Sequence, residues 1–331
     1  MVVDLYPSMI HEGDLSPDDF GDEVDAICQE IHEACQGFGT DEDRLLNAMG
    51  GMTPETRCKV PVRYQEIYGK ELKQKMRSEC GNRDFGKALQ FLAVPPNVAE
   101  CDIIELACKG AGTNEKLLTT VICGRSNVEM ELLKKKFFDS KDKDLGRVLD
   151  SELGGHFEQL IFNCIQASEE AYDEDYHNED KVKEDAEAFY KMGQGKWGTD
   201  EKGLFKLICA RPAEHLVAVN TQYADDYGFT LFKAMEKEMG GDAGKGALFA
   251  LGMKLKPYDT VAKLIHDACK GFGTNELLLT TALIRYQALL KPVADAYNEE
   301  YGKDLQEVVR SETGGDYRKL LLKVVETGYE L

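Results

Sequence analysis

Four glutamates, Glu79, Glu152, Glu238 and Glu312, each follow a glycine-rich turn at a nearly constant interval. The turns read GFGTDE from Gly37, GAGTNE from Gly110, KWGTDE from Lys196 and GFGTNE from Gly271. The acids stand 40, 40, 40 and 39 residues after Gly39, Gly112, Gly198 and Gly273. A merely solvated charge needs no such phasing. A hard cation such as calcium takes six to eight oxygens at about 2.3 to 2.6 Å, backbone carbonyls and a bidentate carboxylate among them. A glycine-rich turn can aim carbonyls outward, and one glutamate beside it supplies charge. Roughly five protein oxygens would result, leaving a position for water or an outside oxygen. A glycine C-cap followed by a capped helix explains any one copy, but four copies with matched acids point to a site.

These residues must be positioned by a repeated unit. Taking Thr40, Thr113, Thr199 and Thr274 as markers, the intervals are 73, 86 and 75 residues, which predicts four small subdomains rather than a short-period solenoid. The long middle interval coincides with the acidic stretch 168–185, read as a solvated linker. The expected division is a segment 1–20, repeats 21–94 and 95–167, a linker 168–182, and repeats 183–256 and 257–331. Each threonine is expected to cap a helix, with Asp41 and Glu42, Glu115, Asp200 and Glu201, and Glu276 in the first turn, and Asp43 closing a capping box in the first copy. Apolar residues at helical spacing follow (Leu45, Leu46, Met49; Leu117, Leu118, Val121, Ile122) and precede (Ile27, Ile31, Ala34, Cys35; Val261, Leu264, Ile265, Ala268). Two further signatures recur: YGKEL at 68, YGFTL at 227, YGKDL at 301 and the looser DKDL at 142; and SECGN, SELGG, KEMGG and SETGG around the four acids. Strand-like alternation is scarce, so the expected class is all-α.

Composition narrows the function. Forty basic against sixty acidic residues give a formal charge of −20, which excludes a basic nucleic-acid footprint and bare attraction to anionic lipid. Any meeting with a phosphate surface needs a cation in between. Ten cysteines without a CxxC pair are expected to be reduced and mostly buried. No apolar run reaches the roughly 20 residues of a membrane span, and the first residues carry no leader pattern, so a cytoplasmic location is expected. The six histidines (His11, His32, His156, His177, His215, His266) form no evident nucleophile–base pairing, and no third glycine or preceding strand supports nucleotide binding; the chain is not expected to be an enzyme. DSKDKDLGRVLD at 139 lacks the glycine that an EF-hand loop requires.

With these residues in view, the sequence resembles the annexin family over residues 20–331: a G-x-G-T turn with a later acid recurs in four repeats. The resemblance implies an all-α fold of four homologous five-helix repeats arranged as a curved disc, with calcium sites on the convex face that dock to anionic phospholipid. It implies Ca2+ ligands at Cys35, Gly37, Gly39 and Glu79; at Cys108, Gly110, Gly112 and Glu152; at Gly193, Lys196, Gly198 and Glu238; and at Cys269, Gly271, Gly273 and Glu312, all but the glutamates through main-chain carbonyls. Trp197, the only tryptophan, and Phe38 and Phe272 are expected to contact the membrane. The segment before Phe20 is where protein partners would bind, and lateral self-association on membranes is a further expectation. A cytoskeletal or scaffolding adaptor and a soluble calcium buffer are the alternatives. Two departures stand out: the fourth copy is one residue short, a deletion placed at TALIRYQALLKP, and the first copy lacks the arginine found at Arg125, Arg211 and Arg285, predicting a looser repeat.

Overall fold

In the computed structural model the described residues are 3–13, 20–37, 39–110, 112–195, 198–271 and 273–331, and among them the regular structure is entirely helical. A short helix α1 (Ser8–Glu12) precedes twenty α-helices in four groups of five. The first group is α2 (Asp22–Ala34), α3 (Glu42–Gly50), α4 (Thr56–Tyr68), α5 (Leu72–Cys80) and α6 (Asp84–Leu92). The second is α7 (Pro96–Ala107), α8 (Glu115–Ile122), α9 (Asn127–Lys141), α10 (Leu145–Glu152) and α11 (Gly155–Ile165). The third is α12 (Glu179–Met192), α13 (Glu201–Ala210), α14 (Ala213–Tyr227), α15 (Leu231–Glu238) and α16 (Gly241–Leu255). The fourth is α17 (Pro257–Cys269), α18 (Glu276–Arg285), a 3-10 turn (Gln287–Leu289), α19 (Leu290–Tyr301), α20 (Leu305–Glu312) and α21 (Gly315–Tyr329). Pro96 and Pro257 open α7 and α17, where the missing N–H costs nothing.

The chain divides into two compact units: residues 1–4 with 104–260, and residues 5–103 with 261–331. In the first, α11 and α8 pack on α16 and α11 packs on α13; in the second, α3 packs on α21 and α6 on α18 and α21. Each core is built from the apolar faces that the periodicity marks: Leu45, Met49, Leu118, Val121, Val261 and Ile265 are all at most 1% exposed. Hydrophobic burial of this kind is worth about 1.5–3 kcal/mol per large side chain and fixes which way each helix faces.

Three arginines with largely buried side chains sit at the end of the second helix of their repeats or just after it. Arg125 pairs with Glu129 at 3.2 Å, Arg211 with Asp185 at 2.6 Å, and Arg285 with Glu100. The first repeat does not simply lack this element. Arg57, one helix later and 1% exposed, donates Nη2 to the carbonyls of Phe91 (2.9 Å) and Val94 (3.5 Å) at the C-terminus of α6, where a cation complements the helix dipole. Burial pulls its pKa down to about 10.

The acidic stretch after α11 is mostly exposed, as a solvated linker would be, but it is tied down at three points. Glu169 pairs with the buried Lys254 at 2.7 Å and Glu170 with Arg211 at 2.5 Å; His177, 5% exposed, packs its ring 4.7 Å from that of His215. α12 already begins at Glu179.

Candidate functional site

Each glycine turn is closed by the same pair of bonds. The amide of the residue after the threonine returns to a carbonyl of the preceding helix: Asp41 to Ala34, Asn114 to Ala107, Asp200 to Met192 and Asn275 to Ala268, each at 2.8 Å. That same residue then caps the next helix, accepting from Arg44 N (3.0 Å), Leu117 N (3.2 Å), Gly203 N (3.1 Å) and Leu278 N (3.1 Å). Between these anchors the backbone runs through left-handed space, with φ of 98° and 89° at Gly37 and Gly39, 117° and 98° at Gly110 and Gly112, 83° at Gly198, and 120° and 90° at Gly271 and Gly273. Only glycine takes such angles without strain.

The expected threonine caps are therefore displaced by one residue: Asp or Asn caps, and the threonine hydroxyl is released for another partner. It points across to the acid. Thr40 Oγ1 donates to Glu79 Oε2 (3.3 Å), Thr199 Oγ1 to Glu238 Oε2 (3.2 Å) and Thr274 Oγ1 to Glu312 Oε2 (2.9 Å). In the second repeat Thr113 Oγ1 donates instead to the main-chain carbonyl of Glu152 (3.1 Å), and the Glu152 side chain is exposed. The link spans 38 residues in the fourth repeat and 39 in the others, so the shorter count does not detach Glu312 from its turn. Asp43 closes no capping box; its carboxylate meets Lys319 at 2.7 Å.

The four acids occupy an electrostatically awkward place. Glu152, Glu238 and Glu312 are the last residues of α10, α15 and α20, and Glu79 is the last but one of α5. A helix C-terminus carries partial negative charge and favours cations. A carboxylate there, four times over and linked to a glycine-rich turn, is a place where a positive ion is wanted. The first repeat supplies one from its own chain. Lys75 Nζ lies 2.6 Å from Glu79 Oε1 and 3.5 Å from the Cys35 carbonyl, touching two of the expected ligands. Its hydrogen bond holds the Glu79 carboxyl below the usual carboxylate range, helped by its charge and by the Thr40 hydroxyl. Val148, Ala234 and Val308 stand at the corresponding place, four residues before the acid, in the other repeats. The sequence reading missed Lys75; its signal was the i,i+4 spacing from Glu79 on one helix face.

The other expected ligands are brought together to different extents. A Cβ built on Gly193 would lie 3.6 Å from Glu238 Cγ, so that glycine abuts its acid. Burial, with the facing Glu79, Glu152 and Glu312 carboxylates adding to it, pushes the thiols of Cys35 and Cys108 up to about 11 and that of Cys269 to about 12. These thiols stay protonated near neutrality, leaving the main-chain oxygens as donors. Among the described residues no three His, Cys, Asp or Glu side chains are grouped to hold a metal ion, so a cation here must rely on carbonyls and a single carboxylate, the donor set that suits calcium. Lys196, Trp197, Phe38 and Phe272 lie outside the described residues.

The annexin family model matches residues 26–92, 99–163, 184–249 and 260–324. Annexin A13 of Homo sapiens is 30% identical over 316 residues, covering 95% of this chain and 98% of that protein. Annexin A7 of Dictyostelium discoideum is 30% identical over 296 residues, 89% of this chain and 63% of that protein. Among solved structures, annexin III superposes with a TM-score of 0.85 at 26% identity, over 94% of this chain and 95% of that one. A calcium-bound annexin (Sm)1 superposes with a TM-score of 0.78 at 25% identity, over 91% and 90%.

Proposed function

The chain belongs to the annexin family, and from that membership we propose that it binds anionic phospholipid in a calcium-dependent, reversible manner, as a peripheral membrane protein rather than an enzyme. The observation that carries this reading is the threonine-held link between each glycine turn and an acid at a helix C-terminus, present in all four repeats. The residues that would hold the ion are the carbonyls of Cys35, Gly37 and Gly39 with Glu79; of Cys108, Gly110 and Gly112 with Glu152; of Gly193, Lys196 and Gly198 with Glu238; and of Cys269, Gly271 and Gly273 with Glu312. Calcium bound there would offer its remaining coordination positions to lipid phosphoryl oxygens. The chain's own part is to hold each glycine turn in register with its glutamate before any ion arrives, through the turn-closing amide bond, the Asx cap and the threonine hydroxyl, which reaches the carboxylate itself in the first, third and fourth repeats. Its charge of −20 opposes approach to anionic lipid when the ion is withheld. Several weak sites acting together raise avidity well beyond that of any one.

Sedimentation with phosphatidylserine vesicles tests the proposal. The protein is expected to pellet with calcium and to be released by chelator, and the Glu79→Gln, Glu152→Gln, Glu238→Gln, Glu312→Gln quadruple variant should stay in solution while keeping its helical circular dichroism. A quadruple variant that pellets with unchanged calcium dependence would place the sites elsewhere.

A further inference from the structure

Three of the ten cysteines meet in the unit that contains residues 104–260. Cys123 ends α8, Cys164 lies in α11 and Cys209 in α13. The Cys164 sulfur sits 3.7 Å from that of Cys123 and 3.7 Å from that of Cys209. This is the contact distance of two thiols, from which a disulfide of about 2.05 Å is formed by closing the pair. Since one sulfur faces two others, Cys164 can bond to either neighbour but to only one at a time.

Access distinguishes the two neighbours. Cys123 is fully buried, whereas Cys164 and Cys209 are half-buried and line a small cavity of about 30 Å³ together with Arg125, Asn163, Glu169 and Lys254. That volume admits a water-sized molecule, and hydrogen peroxide is little larger. Lys254 anchors one wall: its ammonium donates to the carbonyls of Ile208 (2.8 Å), Cys209 (3.2 Å) and Arg211 (2.7 Å) and pairs with Glu169. The Lys254 charge pulls toward the thiolate, the attacking species, but does not outweigh the hydrogen bonding and burial that raise both thiols.

We propose that Cys123, Cys164 and Cys209 form a redox-modification site in which a hydroperoxide oxidant links Cys164 first to Cys209 and the bond is then exchanged onto Cys123. In the first step the thiolate of Cys209 or Cys164 attacks a peroxide oxygen, giving a sulfenic acid and one water. The second thiol attacks that sulfur, forming the S–S bond and releasing another water, so that two thiols lose two electrons and the peroxide becomes two waters. In the exchange, Cys123 gives up its proton and attacks Cys164 Sγ. The bond to Cys209 breaks, and Cys209 leaves as a thiolate that takes up a proton. The first bond ties α11 to α13, and the second ties α11 to α8. Hydrogen bonding between the thiols and their burial hold Cys164 and Cys209 well above the ordinary thiol range, so formation is slow at neutrality and accelerates as pH rises.

The experiment treats the folded full chain with hydrogen peroxide, alkylates it under denaturing conditions, and maps the peptides by mass spectrometry. The expected result is one intramolecular link containing Cys164, two hydrogens lighter than the thiols, with Cys28, Cys35, Cys58, Cys80, Cys101, Cys108 and Cys269 alkylated. Cys209→Ser should redirect the link to Cys123, and Cys164→Ser should abolish it. A link that omits Cys164, or full alkylation of Cys164 after treatment, overturns the proposal. The wild-type map decides this even where a variant fails to fold.

Discussion

At the scale of single residues, Lys75 separates the first candidate site from the others. Its ammonium already touches the Cys35 carbonyl and Glu79, so an incoming cation must displace it. The carboxyl of Glu79 is held low; the pair is therefore complete above the ordinary carboxylate pKa and is lost only as pH falls through the lower, folded value. A partly exposed pair is worth ~1 kcal/mol, about fivefold in affinity. Lys75→Ala is expected to tighten calcium binding at this one site by about that factor, read by calorimetric titration; an unchanged isotherm would mean that the ammonium moves aside without cost. The acids and glycines of the four candidate sites stood out in the sequence because their spacing repeats. Lys75 was not, because it occurs once. The cysteine cluster was hidden for another reason: its members are 41 and 45 residues apart, and only the packing of α11 against α8 and α13 makes them neighbours.

At the scale of helices, the recurrent YGKDL runs are a stop followed by a start. Gly69, Gly228 and Gly302 end α4, α14 and α19 in left-handed conformation; Thr230 and Asp304 then cap α15 and α20 through their side chains, whereas Glu71 opens α5 with no side-chain cap bond. The second repeat places Asp142 at that left-handed position, with φ of 52°. A side chain there costs about 1 kcal/mol relative to glycine. Asp142→Gly should therefore raise the chemical-denaturation midpoint by that much stability, and a loss would show that the Asp142 carboxylate has a role of its own. The same repeat differs again nearby. His32 stacks on Tyr68, Tyr190 on Tyr227 and His266 on Tyr301, with ring planes within 4° of parallel, whereas the second repeat joins its first and third helices by Glu105 and Lys141 at 2.8 Å. The all-α class was readable from periodicity, while the five helices of each repeat followed only from the family resemblance. The cap was misplaced by one residue because threonine and Asp or Asn stand side by side and both cap well; which one does so depends on where the turn-closing amide bond falls, a property of the folded loop.

At the scale of the whole molecule, the two compact units have unequal histories along the chain. One is drawn almost wholly from residues 104–260, while the other joins residues 5–103 to residues 261–331. In the latter, α21 covers α3, Thr327 donates to the carbonyl of Gly50 at 3.0 Å, and Gln287 donates to that of Met52 at 3.1 Å, across 277 and 235 residues. Contacts that distant form late, because the intervening loop must close first. A chain made from its N-terminus onward therefore carries its first repeat with an uncovered apolar face until its last repeat has emerged. We expect pulsed hydrogen exchange during refolding to protect amides of α8, α11, α13 and α16 before those of α3 and α6, and the reverse order would contradict this. The middle of the molecule matures early, and the first repeat to be synthesised is among the last to be finished.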